Sequence, residues 1–293
     1  MSLKSTRGVL RPADRAALVT DSMPTIQFTN LEDLIRAIDA APGDALRVTN
    51  VSPTVYKELD EGYERNKIHL SMYTEDSQCL IITIPTLQHE AVFGLLTTGL
   101  NIAVALMGLA NNWKYRGTTT IYSRRSSGGG GGGQQPDASA SPRADGRIYR
   151  YPTIIFEGGY SSTLPEMRVK ARRYFEMSEH QVKIVILSKL IPTERRIIIE
   201  RWEERQRGER RPGPATRWGS EIVPGCQQVI TINENGANPP VYQVDSDDLV
   251  LSFRLLFQRD PRQGEGDVVF SVAWLRDYAV QVWEDWDQDD EAI

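Results

Sequence analysis

Hydrophobic positions along the chain change period several times, and each change marks an element. Leu31, Leu34, Ile35 and Ile38 recur at helical spacing behind Thr29-Asn30, which can cap the helix. Residues 55–63 carry a second, weaker helical pattern. The β-branched run 79–84 predicts a strand stopped by Pro85. Residues 91–110 hold no charge and are long enough to span a bilayer. Thr97, Thr98 and Asn101 interrupt that run, and no basic cluster flanks it, so a helix buried against a sheet is expected; a membrane span is the alternative.

Further on, residues 118–122 and 154–157 predict strands. Thr163 with Glu166 forms a capping box for a helix whose buried stripe is Leu164, Met167, Ala171, Tyr174 and Phe175, with Pro165 in its first turn. Residues 182–187 predict a central strand, and residues 196–202 a partner for it after Pro192. Residues 229–232 and 241–244 are expected to be strands on either side of the turn-rich Asn233-Glu-Asn-Gly236. Ser271 precedes a last helix with Leu275, Tyr278, Ala279, Val282 and Trp283 on its inner face. Strands alternating with helices predict an α/β class, an α+β sandwich with a mixed sheet flanked by helices.

Composition adds boundaries. Six consecutive glycines at 128–133 sit in a flexible insert over about 123–135, which a closed loop tolerates at little cost. Residues 1–24 read as a flexible lead, 25–203 as the core, 204–219 as an Arg-, Gly- and Pro-rich loop, 220–284 as strands and a helix packing on the core, and 285–293 as an acidic tail. A formal net charge of −5 argues against a general nucleic-acid coat protein. The middle is nonetheless basic, from Arg168, Lys170, Arg172 and Arg173 to Arg217. Two cysteines, Cys79 and Cys226, are too few for a disulfide scaffold or a zinc site. With no secretory signal pattern at the start, an intracellular place, cytoplasm or nucleus, is expected.

The chemistry centres on Glu157. It ends a buried apolar strand, where a carboxylate is costly to desolvate unless a cation or donor meets it. Asp137, twenty residues upstream behind Pro136, is a second acid. Mg²⁺ commonly uses one or two protein carboxylates, so this pair can hold one ion; the plain alternative is a loop acid and a helix cap. On the next helix Arg168 and Lys170 flank the buried stripe, and either can reach the strand end.

The order of proline-aspartate, apolar strand, glutamate and basic helix resembles the PD-(D/E)xK nuclease superfamily. More narrowly it is similar to the Uma-type restriction endonuclease-like proteins of fungi and bacteria. Glu157, the turn Ser161-Ser162 and the K-x-x-x-Y pair of Lys170-Ala-Arg-Arg-Tyr174 carry the likeness, together with Leu80-Ile-Ile-Thr-Ile-Pro85 and His89-Glu90 upstream. It spans roughly residues 60–200. The resemblance implies a restriction endonuclease-like fold and a DNA nuclease dependent on Mg²⁺ or Mn²⁺. It further implies that Asp137 and Glu157 hold the ion, Glu90 is a third metal ligand, and Lys170 supports the attacking water; from the polar breaks in residues 91–110, no membrane is expected as a partner. One departure stands out: Gly159 occupies the place of the superfamily's usual lysine. The alternatives are a non-catalytic descendant that binds nucleic acid or protein, and a membrane-associated protein built on residues 91–110.

Overall fold

Capping residues start most of the longer helices. Asn30, Ser52, Thr86 and Thr163 each accept a backbone N–H from the first turn that follows, and Thr163 and Glu166 complete the capping box. The computed structural model of the protein describes residues 23–62, 68–122, 132–143, 149–206, 222–237 and 239–291. In chain order the first elements are β1 (Thr25–Gln27), α1 (Leu31–Asp39), β2 (Ala45–Thr49), α2 (Pro53–Glu61), β3 (His69–Thr74), β4 (Cys79–Thr83) and α3 (Leu87–Leu106). Then come β5 (Trp113–Tyr115), β6 (Ile121–Tyr122), β7 (Gly133–Gln134), β8 (Ala138–Pro142), β9 (Ile154–Gly159), α4 (Leu164–Met177), β10 (Ile184–Ile191) and β11 (Arg196–Gln206). The chain closes with β12 (Ile222–Glu234), β13 (Tyr242–Asp245), β14 (Leu249–Leu251), α5 (Phe253–Phe257), β15 (Val268–Phe270) and α6 (Val272–Glu291).

These strands form two larger sheets and a small one. The first sheet runs β1-β2-β4-β3-β7-β6, the second β13-β12-β11-β10-β9-β8-β5, and β14 pairs with β15. Parallel pairing occurs at β1–β2 and β9–β10, and each of these pairs is joined through a helix, α1 or α4, as parallel strands require. The fold is α+β, as the alternation of patterns predicts. α4 packs on one face of the second sheet through Met167, Ala171, Tyr174 and Phe175 against Ile155, Val185 and Leu187. α3 and α6 cover the other face, where Ile154, Phe156, Ile184 and Ile186 meet Val92, Leu96, Leu100 and Leu275. Burial on both faces explains why β9 and β10 read as unbroken apolar runs rather than alternating ones. A further core, built on Leu46, Val48, Leu70 and Ile82, holds α1 and α2 to the first sheet.

Several boundaries differ from expectation. Gly133 and Gln134 do not belong to a flexible insert: they form β7, which pairs with β3 and β6. Gly133 lies close under Tyr56: a Cβ there would fall 2.1 Å from the Tyr56 hydroxyl, and that ring would have to shift. Residues 123–131 of the expected insert lie outside the described residues. Glu204–Gln206 continue β11 instead of opening a loop, and the rest of that loop, 207–219, also lies outside. The acidic end is the last part of α6 through Glu291, not a separate tail. The predicted flexible lead lies outside except for Met23 and Pro24. α3 meets the length and composition of a membrane-crossing helix. In this fold Val92, Phe93, Leu96, Leu100 and Val104 are core, while Ile102 and Leu106 are exposed.

Candidate active site

Strand register brings the two acids together. Ala138 pairs with Phe156 in the antiparallel β8–β9 ladder, so one step further sets Asp137 opposite Glu157 with both side chains on one face. That face is the one α4 covers, since Glu157 shares it with Ile155. Lys170 and Tyr174 lie one helical turn apart on α4 and reach the same carboxylate. The Lys170 ammonium donates to one oxygen of Glu157, and the Tyr174 hydroxyl donates to the other. Lys170 Nζ also donates to Ser71 Oγ of β3 at 2.6 Å. Asp137 is 4% exposed, Glu157 3% and Lys170 8%, so the group is sealed from bulk water.

Arg168, the other basic residue beside the stripe, does not reach this point. It makes two-pronged contact with Glu200 of β11, which also accepts from Trp202 Nε1. Glu90 is exposed on the first turn of α3, close enough to Asp137 for the two charges to interact, but among the described residues it completes no three-residue metal-binding group with Asp137 and Glu157. Its neighbour His89 turns inward instead.

Two glycines let β9 end against both α3 and the first sheet. A Cβ on Gly158 would lie 3.2 Å from the Phe93 ring and 3.3 Å from Val92. The Gly158 N–H donates to Asp137 Oδ2 at 2.8 Å. Asp44, just before β2, accepts the N–H groups of Tyr160 and Ser161 at 2.9 and 2.8 Å. It also accepts from His89 Nδ1 at 3.0 Å. His89 Nε2 faces Asp137 Oδ1 at 3.4 Å, an ion-pair distance, and that oxygen has no hydrogen-bond partner. Asp44 was not among the residues singled out in the sequence; an acid ahead of an apolar strand is its only signal, and many loop acids share it.

Electrostatics follow from burial and these contacts. Burial pushes the Glu157 carboxyl up to about 8, with Lys170 pulling the other way and Asp137 adding to the rise. Burial would also raise Asp137, but the charges of His89 and Lys170 outweigh it and hold that carboxyl well below the usual range. Burial lowers His89, yet Asp137 and Asp44 overcome it and lift the ring to about 10. His69 is pushed down to about 4 by burial and is neutral. Three carboxylates thus face two cations, leaving one negative charge whenever Glu157 is ionised. A proton or a metal ion can balance it.

A cavity of about 30 Å³ opens beside Glu157, Lys170, Ser71 and His89. It has room for about one water or ion, not a nucleotide. Among the described residues no three His, Cys, Asp or Glu side chains converge to hold a metal. The oxygens of Asp137 and Glu157 are hard donors that suit Mg²⁺, and Asp137 Oδ1, faced by the His89 ring, accepts no hydrogen bond. No protein-family model matches the chain, and no curated protein is similar enough to count as a relative. The fold and site therefore define a class only: an α+β protein with a buried carboxylate–lysine cluster at the carboxyl end of a parallel strand pair.

Proposed function

We propose that the protein is a metal-dependent phosphodiester hydrolase of DNA-nuclease type, with Asp137 and Glu157 as carboxylates for Mg²⁺ or Mn²⁺ and Lys170 beside them. One observation carries this reading: acids remote in sequence sit opposite each other on neighbouring strands, next to a lysine ammonium. A mixed sheet with helices on both faces and the acids on adjacent strands also accords with the restriction endonuclease-like arrangement that the motifs imply. A bound divalent ion would polarise a phosphoryl oxygen and lower the pKa of water.

The chain's own residues have separable tasks. Gly158 N–H fixes Asp137 Oδ2 and leaves Oδ1 facing the cluster. Tyr174 and Lys170 together fix both oxygens of Glu157. The Lys170 ammonium also donates to Ser71, so its third N–H can orient a water or steady charge growing on phosphorus. The test is incubation of purified protein with plasmid and Mg²⁺, beside Glu157→Ala. Cleavage that needs the divalent ion and is lost in the variant supports the reading. Cleavage unchanged in the variant comes from a contaminant and sinks it.

The cavity's size favours a second reading. Space for one ion beside a Glu157 already engaged by Lys170 and Tyr174 suits a nuclease-type fold that binds nucleic acid without cutting it. That reading expects a shifted DNA duplex, affinity falling steeply with salt, and no cleavage.

A further inference from the structure

The hydrolase reading leaves Gly159 unexplained, the position where the superfamily carries a lysine. Geometry there strains any side chain. The backbone stands at φ +151°, and a Cβ would lie 3.0 Å from Asp44 Oδ2. Asp44 cannot simply move aside. It is 2% exposed, accepts two backbone N–H groups from the turn after Gly159, and its own N–H donates to Ser161 Oγ at 3.0 Å.

Its fourth contact is to His89. A carboxylate only accepts, so the ring carries hydrogen on Nδ1 and presents Nε2 to Asp137. The ring has little freedom: Thr86 caps His89 N–H at the start of α3, and Phe93 meets the ring edge-on at 5.4 Å. Lys170 serves Glu157, and His89 stands in the equivalent place beside Asp137.

We propose that Asp44 and His89 are positioning residues: Asp44 fixes the ring, and the ring Nε2 sets the place of Asp137 Oδ1, a contact that no lysine at 159 can bring. This rests on the hydrolase reading of the site. Without His89, the Gly158 N–H would be the one hydrogen bond among the described residues that holds the Asp137 carboxylate.

The experiment uses the full chain as wild type, Asp44→Asn, His89→Gln and the double variant. Plasmid cleavage in Mg²⁺, melting temperature and the ring N–H signals of ¹⁵N-histidine-labelled protein are measured; three histidines make assignment simple. Each single change is expected to lower kcat by about 10- to 100-fold, the usual cost of losing a group that orients a ligand, with KM little moved. Because Asp44 acts through His89, the double variant should be no slower than the slower single. A slowly exchanging Nδ1–H signal should be present in the wild type and shifted or lost in Asp44→Asn. Losses that multiply in the double variant, or a ring signal unmoved by Asp44→Asn, overturn the proposal and leave Asp44 as a brace for the turn alone. Full activity in His89→Gln overturns it as well. If the wild type cuts nothing, the hydrolase reading fails and the rate claim goes with it, while the ring signal separately reports whether Asp44 holds His89.

Discussion

Replacing Glu157 with glutamine tests whether burial or pairing governs the buried cluster. Glutamine is neutral and similar in shape, so it mimics the protonated acid. In the folded protein the Glu157 carboxyl is raised from its ordinary 4.5 to about 8, burial being the main cause. A group whose pKa rises on folding contributes stability that is fully present below its unfolded value and is lost as pH climbs through the folded one. The interval from 4.5 to about 8, at roughly 1.4 kcal/mol per pH unit, amounts to about 5 kcal/mol. Relative to wild type, Glu157→Gln should therefore gain stability steadily between pH 5 and about 8, approaching that figure. Urea unfolding of both proteins at pH steps from 5 to 9, with EDTA present, gives the difference directly, and titrating groups outside the cluster cancel in the comparison. A difference that stays flat with pH refutes the reasoning. A wild type that gains on the variant as pH rises shows that the Lys170 contact outweighs desolvation. Adding Mn²⁺ should then protect the wild type more as pH rises, since the ion displaces a proton, and should protect the variant little.

Other consequences are simpler to check. Measured at pH 9, above the raised Glu157 value, Lys170→Met removes the cation beside a buried carboxylate and should cost about 3–5 kcal/mol in chemical unfolding, while Glu157→Gln with Lys170→Met should recover most of it; equal losses would assign the effect to packing. Gly159→Ala forces a non-glycine residue to φ +151° against Asp44 and should lower stability by about 1–3 kcal/mol in a thermal melt. Glu90→Gln, on an exposed turn, should change stability by less than about 0.5 kcal/mol and leave plasmid cleavage as it was; loss of cleavage there would return Glu90 to the metal site.

Elements with their own periodicity were legible before any coordinates. α4 announces itself through a capping box and a stripe, and β9 and β10 through β-branched runs that only a doubly covered sheet accommodates. β2, β3 and β8 were not legible, for a physical reason. β8 is Ala-Ser-Ala-Ser-Pro, small and weakly hydrophobic, and is a strand only because β9 and β5 pair with it on either side. Likewise β7 is Gly-Gln, a composition read as flexible until Tyr56 and β3 press against it. Tertiary pairing overrides local preference in such segments.

The site divides along the same line. Asp137 and Glu157 could be read because each stands at a punctuated end, one after proline and one before two glycines. Arg168 and Lys170 could not be separated by helical angle, since both flank the stripe. The sheet separates them: Arg168 overhangs β11, where Glu200 waits, and Lys170 overhangs the end of β9. Asp44 was invisible because its role depends on a turn more than a hundred residues away. The glycine that seemed a defect in the motif is what admits that acid: any side chain at 159 would push into the Asp44 carboxylate, and His89 would lose its anchor. A departure from a pattern therefore marked where another segment had entered the site.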